Sequence, residues 1–261
     1  MRKSRIKAKL SRNEPALCTA LCFAEPAIFE LVSKMGFDGI WLDLEHHGHS
    51  VETASHLMRA ARVCAADIVA RPAKGEFTRM ARLLEVGAQA IMYPRCDSAE
   101  EAAEVVKFAK FAPLGRRGFD GANADSAYAG TPVIEYLDHA NQETLIVVQL
   151  EDQRAVDQAE AIAAVPGVDA IMLGPADFSI LEGFAGEFDH ARMDSVIRTI
   201  VAAAKNTGKH WARTVGTAKQ AEESLELGAR LLFHGADIIF LRNGLQQIQA
   251  DFSKLGFNFG A

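Results

Sequence analysis

Short apolar runs alternate along this chain with longer segments in which apolar residues return at helical spacing. The runs fall at 17–23, 39–44, 67–71, 89–94, 144–151, 169–173, 209–214 and 230–235. Short, apolar and bounded by polar or glycine-rich stretches, they predict buried strands. The intervening segments predict helices near 26–35, 51–64, 76–86, 98–110, 153–164, 191–206, 217–227 and 238–254. Ser98 followed by Glu101 is a capping-box start for one of them. Gly36, Gly87 and Gly228 each stand where a helix must stop before the next strand, as a left-handed cap allows. Eight strand-then-helix units predict a parallel sheet closed into a single (β/α)8 barrel over 1–261. The rival, an open doubly wound sheet for a dinucleotide, lacks a G-x-G-x-x-G after the first strand. One connection, 111–132 (FAPLGRRGFDGANADSAYAGTP), is long and polar, which points to a functional or interfacial loop.

Composition narrows the class. A length of 261 residues suits one such barrel, which commonly runs to about 250. With 49% apolar and 24% charged residues the chain is an ordinary soluble globular protein. A net charge of −6 and a pI near 5.8 argue against nucleic acid as the main partner. Small anionic substrates stay open, because local charge need not follow the total. No apolar run approaches the roughly eighteen residues of a membrane span. The start, MRKSRIKAKLSRNEP, is basic without the apolar core of a signal peptide, and reads as a solvated first helix. Cys18, Cys22, Cys64 and Cys96 form no metal or disulfide pattern. Cys18 and Cys22 read as buried free thiols, and a reducing cytoplasm fits.

In such a barrel chemistry belongs at the C-terminal ends of the strands. The second strand ends in Asp43-Leu44-Glu45-His46-His47. His46 is a candidate general base, with Asp43 able to orient its ring if the chain turns after Leu44. His47 and His49 read as loop residues and His56 as a helix-surface residue. Arg71, fixed at the lip of the third strand by Pro72, can clamp a carboxylate or stabilise an enolate oxygen; a salt bridge to a neighbouring strand is the plainer alternative. In the fifth strand Val147, Gln149 and Glu151 share a face, and the last two are expensive to bury without partners. After the sixth strand comes Gly174-Pro175-Ala176-Asp177. Strands lie roughly 4.8 Å apart, so Glu151 and Asp177 can chelate one cation together. Two carboxylates suit a hard octahedral divalent ion better than zinc. Asp177 as a helix cap is the alternative. No serine elbow or P-loop competes. Lys34, Lys74, Lys107, Lys110, Lys205 and Lys219 fall on helices or loops and Lys209 at the wrong end of a strand, which disfavours an imine mechanism.

These stretches resemble the class II 2-oxo-acid (pyruvate) aldolases of the HpcH/HpaI type, which include 4-hydroxy-2-oxoheptanedioate aldolase. The resemblance rests on GFDGIWLDLEHH (36–47), VARP (69–72), LEVGAQAIMYP (84–94), APLGRRG (112–118), VVQLED (147–152), GVDAIMLGPADFS (167–179) and LELGARLL (225–232). It spans nearly the whole chain, in order. It implies reversible cleavage of a 4-hydroxy-2-oxo acid to pyruvate and an aldehyde through a pyruvate enolate. Glu151 and Asp177 would hold magnesium, manganese or cobalt; Arg71 and Gln149 would hold the pyruvate end; backbone near Pro175 and Ala176 would meet its carboxylate. His46, oriented by Asp43, would be the base, working through a water. The resemblance also implies a homohexamer with the last helix exchanged between neighbours. Oxaloacetate decarboxylation or acyl-CoA ester cleavage could use the same site, and a non-catalytic anion-binding barrel is the distant alternative. Departures from the usual pattern fall at His47, Gly48 and His49, at Arg95 and Arg213, and in the acidic loop 118–126. They surround the region expected to take the aldehyde.

Overall fold

The computed structural model describes residues 2–260; the two ends of the expected 1–261 domain range lie outside the described residues. In chain order the elements are α1 (Arg5–Ser11), β1 (Ala16–Leu21), α2 (Pro26–Lys34), β2 (Gly39–Asp43), α3 (Val51–Ala61), β3 (Asp67–Arg71), α4 (Phe77–Glu85), β4 (Ala90–Tyr93), α5 (Ala99–Ala109) and α6 (Val133–Glu143). Then follow β5 (Leu145–Leu150), α7 (Gln153–Asp157), α8 (Ala159–Ala164), β6 (Ala170–Leu173), α9 (Pro175–Leu181), α10 (Ala191–Thr207), β7 (His210–Val215), α11 (Ala218–Glu226), β8 (Leu231–Ala236) and α12 (Asp237–Ser253). The eight strands are all parallel and close in sequence order, β1 pairing with β8. The (β/α)8 barrel expected from the pattern is therefore the fold.

Period-two alternation divides the core into two layers. Cys18, Val69, Ala90, Met92, Val147, Ala170, Met172, Ala212 and Phe233 point into the barrel. Ile40, Ile68, Ile91, Ile146, Ile171 and Trp211 point outward against the helices. Gly36, Gly87 and Gly228 do end their helices with positive φ. Ser98 caps α5, accepting from the Glu101 amide; the Glu101 carboxylate reaches back to the amide of Asp97 and to the Tyr93 hydroxyl.

Four local readings are corrected. The basic start is a helix, but not a solvated one: Ile6 and Leu10 of α1 join the interior layer and stopper the N-terminal end of the barrel. Its attachment point is Asp67, at the start of β3, which accepts from the Ser4 hydroxyl and the amides of Arg5 and Ile6. The segment after the long loop forms α6, whose buried face is only Tyr136 and Ala140, too thin a stripe to stand out from the sequence. The segment 153–164 is two short helices broken at Gln158. Of the two cysteines expected to be buried, Cys18 is and Cys22 is only half-buried; all four thiols are free.

Candidate functional site

The interior register carries four polar side chains to the C-terminal rim. Asp43 ends β2 and stands beside Arg71, the last residue of β3. Gln149 lies on β5 above Val147, and Glu151 follows just past its end. All four are buried. Arg71 is the hub. Its Nε and Nη2 donate to the two oxygens of Asp43 at 2.9 and 2.7 Å, and its Nη1 reaches the Gln149 amide oxygen at 3.4 Å. Its guanidinium lies 4.6 Å from the Trp41 ring centroid. A bidentate pair stacked on an indole fixes the arginine's plane and leaves little freedom to lose when a ligand arrives.

This arrangement replaces the contact expected between Asp43 and His46. Arg71 takes both carboxylate oxygens of Asp43, and the nearest imidazole is that of His47, 3.9 Å away. His46 is mostly exposed, its Nε2 3.6 Å from Glu45. His47 lies against the His49 ring, and His49 meets the Cys22 carbonyl.

Glu45 was not singled out from the sequence, yet its side chain is buried at the rim. One oxygen accepts from Arg95 Nη2 at 2.8 Å; the other lies 3.4 Å from Arg71 Nε. The signal was present: Asp43 and Glu45 are two apart, as Gln149 and Glu151 are, so the same alternation faces both inward.

Glu151 and Asp177 converge from β5 and from the first turn of α9. Neither carboxylate accepts a hydrogen bond among the described residues. Burial pushes Glu151 up to about 8, with the charges of Asp177 and Glu45 adding to the rise and Arg71 and Arg95 opposing it. Gly174 is required here for space, because a Cβ would overlap the Glu151 side chain. No group of three acidic, histidine or cysteine side chains forms a ready cation cage among the described residues. The donor set still fits a hard divalent ion. Asp43, Glu45, Glu151 and Asp177 bring four carboxylates to the rim and Arg71 and Arg95 two guanidiniums, so that with all four ionised two negative charges are unmatched. A cation held by two carboxylates, with water or substrate oxygens completing its shell, balances that deficit.

A cavity of about 190 Å³ opens over Glu151, lined also by Lys74, Arg95, Asp97, Asp152 and Arg154. Lys74 thus stands nearer the site than its loop position implied. Its ammonium is paired with Asp97 and Glu101, and these partners outweigh burial and raise its pKa. A lysine so held is a poor amine nucleophile. The larger cavity, about 740 Å³, lies elsewhere, between β6–β8 and the base of α12. It touches Pro175 but none of Glu151, Asp177 or Arg71. Arg213 belongs to that cavity: it donates to Ser224 on α11 and faces the helical layer, not the rim. Its expected place near the aldehyde is corrected accordingly, whereas Arg95 does stand at the rim.

The family model for HpcH/HpaI aldolase/citrate lyase matches residues 21–243. A hydroxypyruvate/pyruvate aldolase of Pseudomonas aeruginosa is 31% identical over 249 residues, covering 95% of this chain and 92% of its own. A 4-hydroxy-2-oxo-heptane-1,7-dioate aldolase of Salmonella arizonae is 30% identical, covering 96% and 95%. The crystal structure of an HpcH/HpaI aldolase from Desulfitobacterium hafniense superposes with a TM-score of 0.90 at 29% identity, over 97% of this chain and 98% of that one. A closed barrel with its acidic residues gathered at the C-terminal rim, matched from end to end by aldolases, places the chain in the HpcH/HpaI aldolase/citrate lyase family as a carbon–carbon lyase.

Proposed function

We propose that the enzyme reversibly cleaves a 4-hydroxy-2-oxo acid to pyruvate and an aldehyde. The observation that carries this reading is the rim's charge deficit, centred on two carboxylates without hydrogen-bond partners beside a fixed arginine. Glu151 and Asp177 would hold a divalent cation, of the magnesium, manganese or cobalt kind. Bound there, such an ion supplies positive charge to the 2-oxo and carboxylate oxygens, worth several kcal/mol to an enolate-like transition state.

The chain's own residues do the rest. Arg71 and Gln149 hold the pyruvate end, and Arg71 places its charge where the enolate oxygen develops. The start of α9 faces the substrate carboxylate, with the free amide of Ala176 as donor beside Pro175, which has none. His46, exposed at the lip, carries the proton between solvent and substrate through a water. Asp43 acts by aligning Arg71, the partner it holds in the structure. The four free thiols suit a reducing cytoplasm.

The protein works as a homo-oligomer in this reading, hexameric as the resemblance implies, with α12 laid on a neighbouring copy. Ile238, Phe240, Leu241, Leu245, Ile248 and Phe252 on that helix are all exposed, an apolar surface too extended for a lone subunit.

The test is exchange of the methyl protons of pyruvate in deuterated water with magnesium present. Wild type exchanges them; Glu151→Gln and Asp177→Asn lose the activity by roughly a hundredfold or more. Full exchange in either variant overturns the assignment. Oxaloacetate turning over faster than any 4-hydroxy-2-oxo acid would move it to decarboxylation.

A further inference from the structure

Arg95 is the rim residue whose backbone and side chain most need an explanation. It follows β4 and Pro94 with φ +47, a left-handed conformation unusual for a residue with a side chain. Both sides of it are tied down. Its carbonyl accepts from Lys74 Nζ at 2.6 Å, and the next amide, of Cys96, donates to the Gln149 carbonyl at 2.9 Å. The turn so fixed aims the side chain across the rim onto Glu45, where Nη2 makes its one hydrogen bond among the described residues. Strain held in place at a site is a reason to look for function.

The other cations around the small cavity are already matched. Lys74 is taken by Asp97 and Glu101, and Arg154 by Asp152. Arg95 shares Glu45, its one ion-pair partner among the described residues, with Arg71. Its side chain is 48% exposed, and its remaining guanidinium donors have no protein acceptor among the described residues. The cavity therefore has Glu151 on one side and, on another, an arginine whose counter-ion is already shared with Arg71. That cavity is small and charged, with Leu181 its one apolar lining residue.

We infer that Arg95 selects the second substrate, binding the carboxylate of a short acceptor aldehyde of the glyoxylate class in preference to a neutral one. The inference rests on the aldol reading above. In the reaction the methyl carbon of pyruvate bonds to the acceptor's carbonyl carbon; the methyl group gives up one proton and the acceptor oxygen gains one, with no oxidant or reductant. Arg95 meets the acceptor's far end, and a planar guanidinium is suited to a carboxylate.

The experiment compares glyoxylate with glycolaldehyde, an uncharged aldehyde of the same carbon number, using the full-length enzyme with magnesium and pyruvate. In Arg95→Met the glyoxylate-to-glycolaldehyde ratio of kcat/KM falls by roughly tenfold to a hundredfold, mostly through the KM for glyoxylate. Arg95→Lys, which keeps the charge, retains part of the preference. Equal losses for both acceptors in the two variants would reduce Arg95 to a support for Glu45, and an unchanged ratio would remove it from specificity altogether. Pyruvate proton exchange, run without acceptor, tests the underlying reading by itself. Its absence in wild type sinks both ideas, while exchange with an unchanged ratio sinks only this one.

Discussion

Glu151 sits between two demands, burial that favours its neutral form and a role that needs its charge. Without a cation it is pushed up to about 8, from 4.5 for an unperturbed side chain. The sign of the consequence follows. Below the unfolded value both states carry the proton and the group's contribution to stability is full. As pH rises from there to about 8 the unfolded chain ionises first, so that contribution is lost. In chelator, the melting temperature of wild type should therefore decline from about pH 5 to about pH 8, and Glu151→Gln should flatten that decline. With saturating magnesium the trend should weaken or reverse, because cation and proton compete for the same oxygens. Scanning calorimetry across that range checks it, and identical chelated profiles for the two proteins would refute it. At this scale much of the site was legible. Gln149 and Glu151 stood out because polar residues two apart on an apolar strand have one plausible use. Asp43's partner did not, because it comes from the adjacent strand and not from the next turn of the chain. Nor did the pairing of Arg95 with Glu45, which depends on a left-handed turn after Pro94 that no residue type announces.

The elements that set the barrel's dimensions are short, and one of them is held by the absence of a side chain. A Cβ on Gly39 of β2 would lie 2.8 Å from both Cys18 Sγ and Ile6 Cδ1. Gly39→Ala should thus push α1 out of the barrel's end and destabilise the fold by about 1–3 kcal/mol. Gly48, in open space on the rim loop, is the matched control, and its change to alanine should stay within about 0.5 kcal/mol. Urea titration of both variants decides; equal stabilities would mean that α1 adjusts freely. Strand positions were readable to within two residues at each end, since continuous apolar runs between polar helices have one arrangement that buries them. The stopper role of α1 was not, because a basic segment with two well-spaced apolar residues looks the same whether those residues face solvent or a socket. The break at Gln158 and the thin helix α6 were missed for a related reason: their limits are set by neighbours in space.

The molecule as a whole is unfinished at one corner. Asp237 pins the first turn of α12 to the end of β1, accepting from the amides of Cys22 and Phe23. Beyond that turn the helix carries its apolar residues into solvent, while Leu17 on the outer face of β1 is left 40% exposed for want of a cover. Leu241→Glu with Leu245→Glu should lower the mass seen by light scattering towards that of one subunit while the circular dichroism stays helical. An unchanged mass, or a wild type that is already monomeric, would exclude α12 as the joint. No helix among the described residues is long and apolar enough to cross a membrane. The stopper formed by α1 bears on traffic at the opposite end. A tube packed along its length and corked at its foot has a single doorway, through which every ligand must come and go. On the proposed reading, a pyruvate held deepest against Arg71 would enter before an acceptor lodged under Arg95 and leave after it.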